Sequence, residues 1–170
     1  MKHEESRLQQ QCVAWFRAQY PQYAMLLTHP ANEGNGNRIS GAIHKAEGTV
    51  KGVPDLIFFV MSSRLVESIP ATANECKAEH RTWVNGLGVE LKTPKGSQSQ
   101  EQKDFQKMFE AAGYMYVVVR RFEEFQEVMK DYVSYIPSFI GEKVLAVNAE
   151  IMKAAEDRER EKFRKVVGRK

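Results

Sequence analysis

The sequence predicts a three-layer α/β domain, a mixed central sheet flanked by helices, followed by a C-terminal helical extension. Three observations lead there. Short apolar, β-branched and aromatic runs bounded by Gly or Pro occur at 51–60, 88–92 and 114–119, each of strand length. Stretches with apolar residues at helical spacing lie around and between them, at 4–19, 99–112 and 122–132. Pro137 and Gly141 then part this core, 1–133, from a charged tail, 134–170, in which Val144, Val147, Ile151 and Ala155 again repeat at helical spacing.

Composition sets the outer bounds. A chain of 170 residues is expected to form one domain large enough to bury a core. Its hydrophobic fraction of 42% and charged fraction of 28% are those of a globular protein. Met1-Lys2-His3-Glu4-Glu5 is charged and lacks an apolar stretch, so no export signal is expected. The longest apolar run, 56–61, is far short of a bilayer span. Cys12 and Cys76 are widely spaced with no C-x-x-C, which implies neither a disulfide framework nor a zinc cluster. The cytoplasm is the expected compartment. Net charge is +3, and residues 142–170, with nine Lys/Arg against six Asp/Glu, hold all of it.

In chain order, Leu8, Cys12, Trp15, Phe16 and Gln19 mark one face of the first helix. Glu5 lies one turn before Leu8 and Gln9 and shares that inward face. Read alone, it is a first-turn acid complementing the helix dipole. Residues 23–28 read as a strand ended by His29-Pro30, with His29 a satisfied strand-end residue. Ala31-Asn32-Glu33-Gly34-Asn35-Gly36 is a loop, and 38–47 a short helix stopped by Gly48.

The strand at 51–60 carries Asp55 at its head, where Pro54 is tolerated because a first strand residue needs no ladder N–H. Residues 62–86, with Pro70, Asn74, Asn85 and Gly86, read as a loop or extended hairpin. Cys76 and His80 within it are too few to make a metal site. Trp83 reads as the start of the next strand, packed in the core or at its edge, with base stacking as the other role. Glu90 and Lys92 are two apart and share one face of the 88–92 strand, with Val89 and Leu91 on the other. If the Asp55 and Glu90 strands are neighbours, two acids and a lysine meet at one sheet edge. Two carboxylates suit a hard cation that keeps waters and grips phosphate oxygens. A lysine beside them can position a bound water and offset charge in the transition state.

Ser99 and Gln102 have capping-box spacing at the start of the next helix, with Phe105, Met108, Phe109 and Ala112 as its buried stripe and Gly113 as its stop. Residues 114–119 are almost continuously apolar, as expected of a strand covered on both faces. Phe122, Phe125, Val128, Met129 and Tyr132 give the closing helix its inward face. For the tail, a solvated helix, a dimer arm and a basic DNA-contacting extension all fit, and packing on a partner chain or on the core is favoured.

Pro54-Asp55 followed by Glu90-Leu91-Lys92 resembles the PD-(D/E)xK nuclease signature. Its surroundings resemble VRR-NUC domains: Glu5-Ser6-Arg7-Leu8-Gln9, the run from Lys45 to Asp55, Lys92-Thr93-Pro94-Lys95-Gly96, Gln102, and Tyr116-Val117-Val118-Val119-Arg120 come in that family's order. The resemblance covers roughly residues 4–133. It implies the restriction-endonuclease-like fold, with catalytic Asp55, Glu90 and Lys92. Mg²⁺, replaceable by Mn²⁺, is implied on Asp55, Glu90, the Leu91 carbonyl and Glu5, with Glu4 competing for the last place. Gln102 is implied to support this cluster, beside its capping role. Apart from the resemblance, phosphate-binding cations have to sit around the acids: Lys92, Lys95 and Lys103 are suitably placed, and Arg38, Arg120 and Arg121 can join them. Lys45 and Lys51 are further backbone contacts, with Asn32 in a Gly-rich loop that reads equally as a phosphate approach or a plain turn.

The activity so implied is a metal-dependent endonuclease selective for branched or four-way-junction DNA. An enzyme acting on flaps, ends or RNA, and a non-catalytic nucleic-acid-binding protein, are the alternatives. Junction resolution needs two coordinated cuts and therefore a homodimer. The setting implied is a bacterial cell or a phage-infected host, with no membrane partner.

Overall fold

The computed structural model describes residues 2–30, 46–66 and 80–167. Asn32, Arg38, Lys45, Cys76 and the 31–36 loop lie outside the described residues. The chain divides into two compact units, Met1–Ile136 and Pro137–Lys170.

The first unit is built on a four-stranded mixed sheet. Its strands are β1 (Leu27–Thr28), β2 (Leu56–Phe58), β5 (Leu87–Leu91) and β6 (Met115–Val119), in the order β1-β2-β5-β6. β2 runs antiparallel to β1 and β5, whereas β5 and β6 are parallel. The parallel pair needs a crossover, and α2 (Gln100–Ala111) supplies it. A hairpin of β3 (Ser62–Val66) and β4 (His80–Val84) forms a separate two-stranded sheet. Trp83 therefore belongs to the hairpin, opposite Ser63, and not to the Glu90 strand; it is 53% exposed rather than packed in the core.

The sheet has an apolar layer on each side. On one side Phe58 is fully buried and meets the rings of Phe16 from α1 (Lys2–Gln19), Tyr23, and Tyr132 from α3 (Phe122–Ser134). Trp15 ties α1 to α3 by edge contacts with Phe122 and Phe125. On the other side Phe109 of α2 stacks on Tyr114 and meets Tyr116 edge-on. The helical stripe of α2 is narrower than its spacing suggests, since Met108 is 73% exposed and Ala112 is exposed too. Gln19 at the end of α1 also faces solvent.

Residues 23–28 depart from the strand expected of them. Pro21 occupies the first turn of a 3₁₀ helix, Pro21–Leu26, and only Leu27 and Thr28 remain as strand. Proline's fixed φ favours a helical start, and the Tyr23 N–H donates to the Tyr20 carbonyl at 2.9 Å, the i to i+3 bond of a 3₁₀ turn.

The β3 end of the hairpin is held to α3 by hydroxyls. Ser62 and Ser63 are buried and donate to the carbonyls of Tyr132 and Tyr135, and the Tyr132 hydroxyl donates to the Val60 carbonyl at 2.7 Å. Tyr132→Phe keeps the ring but strips a buried carbonyl of its donor. We expect a loss of about 1–2 kcal/mol in urea unfolding; an unchanged midpoint would show the bond to be energetically idle.

The second unit contains α4 (Ser138–Val167), thirty residues long, or about 45 Å at the α-helical rise. Along it Leu145, Val147, Ile151, Met152 and Phe163 are exposed. Among the described residues no helix is long and apolar enough to cross a membrane.

Candidate active site

The register of the sheet places Asp55 beside Glu90. Leu56 pairs with Val89, so the residue before β2 lies across from Glu90 on β5. The Asp55 carboxylate is fixed there: its Oδ2 accepts the Leu91 N–H at 2.8 Å. Its backbone carbonyl accepts from His29 Nδ1 at 2.7 Å, which ties the end of β1 to the same corner. Among the described residues Oδ1 has no hydrogen-bond partner.

Glu90 is the one fully buried acid described, at 0% exposure. Alternation along β5 turns it, with Gly88, toward α2, while Val89 and Leu91 face the other apolar layer. Three donors hold it. Lys92 Nζ lies 2.7 Å and Gln102 Nε2 2.5 Å from Oε1, and the Tyr116 hydroxyl donates to Oε2 at 3.1 Å. A carboxylate offers about four acceptor positions, so one on Oε2 is left.

Gln102 caps α2 and also touches Glu90. Its Oε1 accepts the Ser99 N–H at 2.8 Å and its own N–H donates to Ser99 Oγ, completing the capping box of α2. With the amide oxygen so engaged, the amide nitrogen faces Glu90. The cap thereby sets the orientation of the amide.

Burial pushes both acids above the ordinary carboxylate range. For Asp55 the charge of Glu5 adds to burial, while the Leu91 N–H, Lys92 and His29 oppose it. For Glu90 the charge of Asp55 adds to burial, against Lys92 and Tyr116. Burial raises both carboxyls most, with Asp55 adding to Glu90 and Glu5 adding to Asp55, which marks a place where positive charge is favoured.

Glu5 reaches this corner from α1. Its Oε1 accepts the Thr93 N–H at 3.2 Å. Beside it a cleft of about 190 Å³ is lined by Glu4, Glu5, Leu8, Lys92, Thr93, Pro94 and Arg120. Arg120 is anchored at the rim: its guanidinium donates to the Gly96 carbonyl at 3.3 Å and its N–H to Glu124. Arg121 pairs with Glu124. Lys51, Lys95 and Lys103 are exposed; no described contact joins them to the acids.

Among the described residues no three His, Cys, Asp or Glu side chains are gathered into a ready-made cation cage. The donors present nonetheless fit a hard cation. Asp55 Oδ1, the remaining position on Glu90 Oε2 and a backbone carbonyl are all oxygen ligands. Mg²⁺ is ordinarily held by one or two carboxylates, completed by waters and substrate phosphate.

Tyr116 opens the run that resembles the family, yet the sequence assigns it no role at the site. An aromatic residue in an apolar strand reads as core, and only the strand register, which sets Glu90 opposite Val118 with Tyr116 two residues earlier on β6, could have pointed to it.

A solved VRR_NUC domain protein has the same fold, at a TM-score of 0.57 and 20% identity, over 77% of this chain and 88% of its own. No family model matches the sequence, and no curated protein does.

Proposed function

We propose that the protein is a metal-dependent nuclease hydrolysing DNA phosphodiesters, with selectivity for branched DNA such as four-way junctions. The observation that carries this is Asp55, Glu90 and Lys92 brought together across two adjacent antiparallel strands, on a fold shared with a VRR_NUC domain protein. Flap, end or RNA cleavage by the same site is the second reading, since the groups described act on phosphate and not on base.

Asp55, Glu90 and the Leu91 carbonyl would hold Mg²⁺, or Mn²⁺ in its place, with Glu5 assisting. The ion when bound supplies Lewis-acid polarisation of the phosphoryl oxygen and lowers the pKa of water. The protein's own groups do the remaining work. Lys92, only 13% exposed and fixed on Glu90, orients the attacking water and faces the charge that develops on phosphate. Gln102 keeps Glu90 aligned. Lys92 and Arg120, both lining the cleft, receive flanking phosphates. Lys51, Lys95, Lys103, Arg38 and Asn32 are proposed as further DNA contacts. Two coordinated cuts at a junction call for a homodimer with paired sites, to be read by light scattering.

The test is Mg²⁺-dependent cleavage of linear duplex, flap, splayed-arm and four-way DNA. Four-way substrates are expected to be cut fastest; equal rates on all four would remove junction selectivity and leave the nuclease. Lys92→Ala is expected to lower the cleavage rate on the order of 10²-fold while DNA binding persists. Undiminished cleavage by that variant would exclude the assigned role.

A further inference from the structure

The Glu90 carboxylate ends in a soft torsion. The last bond of a glutamate has a broad, roughly two-fold profile, so donors on Oε1 alone leave Oε2 free to swing. The only described side-chain donor on Oε2 is the Tyr116 hydroxyl, at 3.1 Å. Tyr116 is 7% exposed, and its ring rests edge-on against Phe109. Its path to Glu90 is opened by a missing side chain. Gly88 lies opposite Tyr116 in register, and a Cβ there would come 2.9 Å from Phe109, 3.0 Å from Pro54 and 3.4 Å from the Tyr116 ring.

We propose that Tyr116 is a positioning residue: its hydroxyl locks the rotation of the Glu90 carboxylate, so that the one open acceptor position on Oε2 is held steady for the cation. The functional meaning rests on the nuclease reading above. A group that orients a metal-binding carboxylate typically changes metal affinity or activity by 10–100-fold, because ligand directions must be held within about 10–20°.

Tyr116→Phe tests this, since it removes one oxygen and keeps the ring. Mn²⁺ is titrated calorimetrically into the full chain without DNA, alongside single-turnover cleavage of a four-way substrate and thermal melting. We expect Mn²⁺ to bind about tenfold more weakly and the cleavage rate at saturating DNA to fall about tenfold, with KM for DNA unchanged. Unchanged Mn²⁺ affinity overturns the proposal, whether or not the melting point moves, and so does a wild type that takes up no Mn²⁺. Weaker Mn²⁺ binding in a protein whose wild type cleaves nothing would sustain the positioning role and sink the nuclease reading. Wild-type cleavage matched by the variant in rate and Mn²⁺ affinity would do the reverse.

Discussion

Asp55→Asn is expected to abolish Mg²⁺-dependent cleavage, by on the order of 10³-fold or about 4 kcal/mol of barrier, while stabilising the metal-free protein. The substitution is close to isosteric, and its amide oxygen can still accept the Leu91 N–H that now bonds Oδ2. What changes is charge. Burial, with the charge of Glu5, raises the Asp55 carboxyl in the folded protein. A raised carboxyl binds its proton more tightly folded than unfolded. Its contribution to stability is therefore fully present below the unfolded value of about 3.9 and is lost as pH rises through the folded value. At neutral pH ionised Asp55 costs stability, and asparagine does not. In EDTA the melting temperature of Asp55→Asn should exceed that of the wild type near pH 7, and the gap should close toward about pH 4. Calorimetry across that range reads it directly. A variant that melts lower than the wild type at pH 7 contradicts the electrostatics, and one that cleaves within tenfold of it contradicts the assignment. Opposed effects on activity and stability are the usual mark of a site kept for chemistry.

Much of this site is legible before any coordinate is known, because strand periodicity constrains it. Glu90 and Lys92 must share a face, and antiparallel pairing of β2 with β5 is enough to bring Asp55 across from Glu90. Gln102 is legible only in part: its spacing from Ser99 announces a cap, whereas its bond to Glu90 depends on how α2 lies on the sheet. Tyr116 is hidden by its apolar surroundings. The misread segments have equally local causes. Residues 23–28 have strand-like composition, but Pro21 starts a 3₁₀ turn that runs to Leu26. Met108 follows the helical period of α2 yet is left 73% exposed. Periodicity says which face a residue occupies and not how far the covering layer reaches.

Gly52→Ala should cost about 2–5 kcal/mol, the largest loss of stability expected from adding a single methyl here, and should disturb the site from outside it. Gly52 has φ +83°, a left-handed conformation that L side chains resist at about 1–2 kcal/mol. A Cβ at this position would also stand 2.3 Å from the Glu101 carbonyl oxygen, 2.5 Å from its carbon and 2.8 Å from the Gln102 nitrogen. None of these is a flexible side-chain end; all are backbone atoms of the first turn of α2. Relief requires the 51–52 turn or the head of α2 to move. Movement of α2 draws Gln102 from Glu90, and movement of the turn shifts Asp55, three residues on. Urea unfolding should therefore show the stability loss, and cleavage per folded molecule should fall with it. If the variant unfolds with the wild-type midpoint, the close approach of this turn to α2 is wrong. If it is destabilised but cleaves at the full wild-type rate when folded, α2 does not align Glu90 through its capping residue.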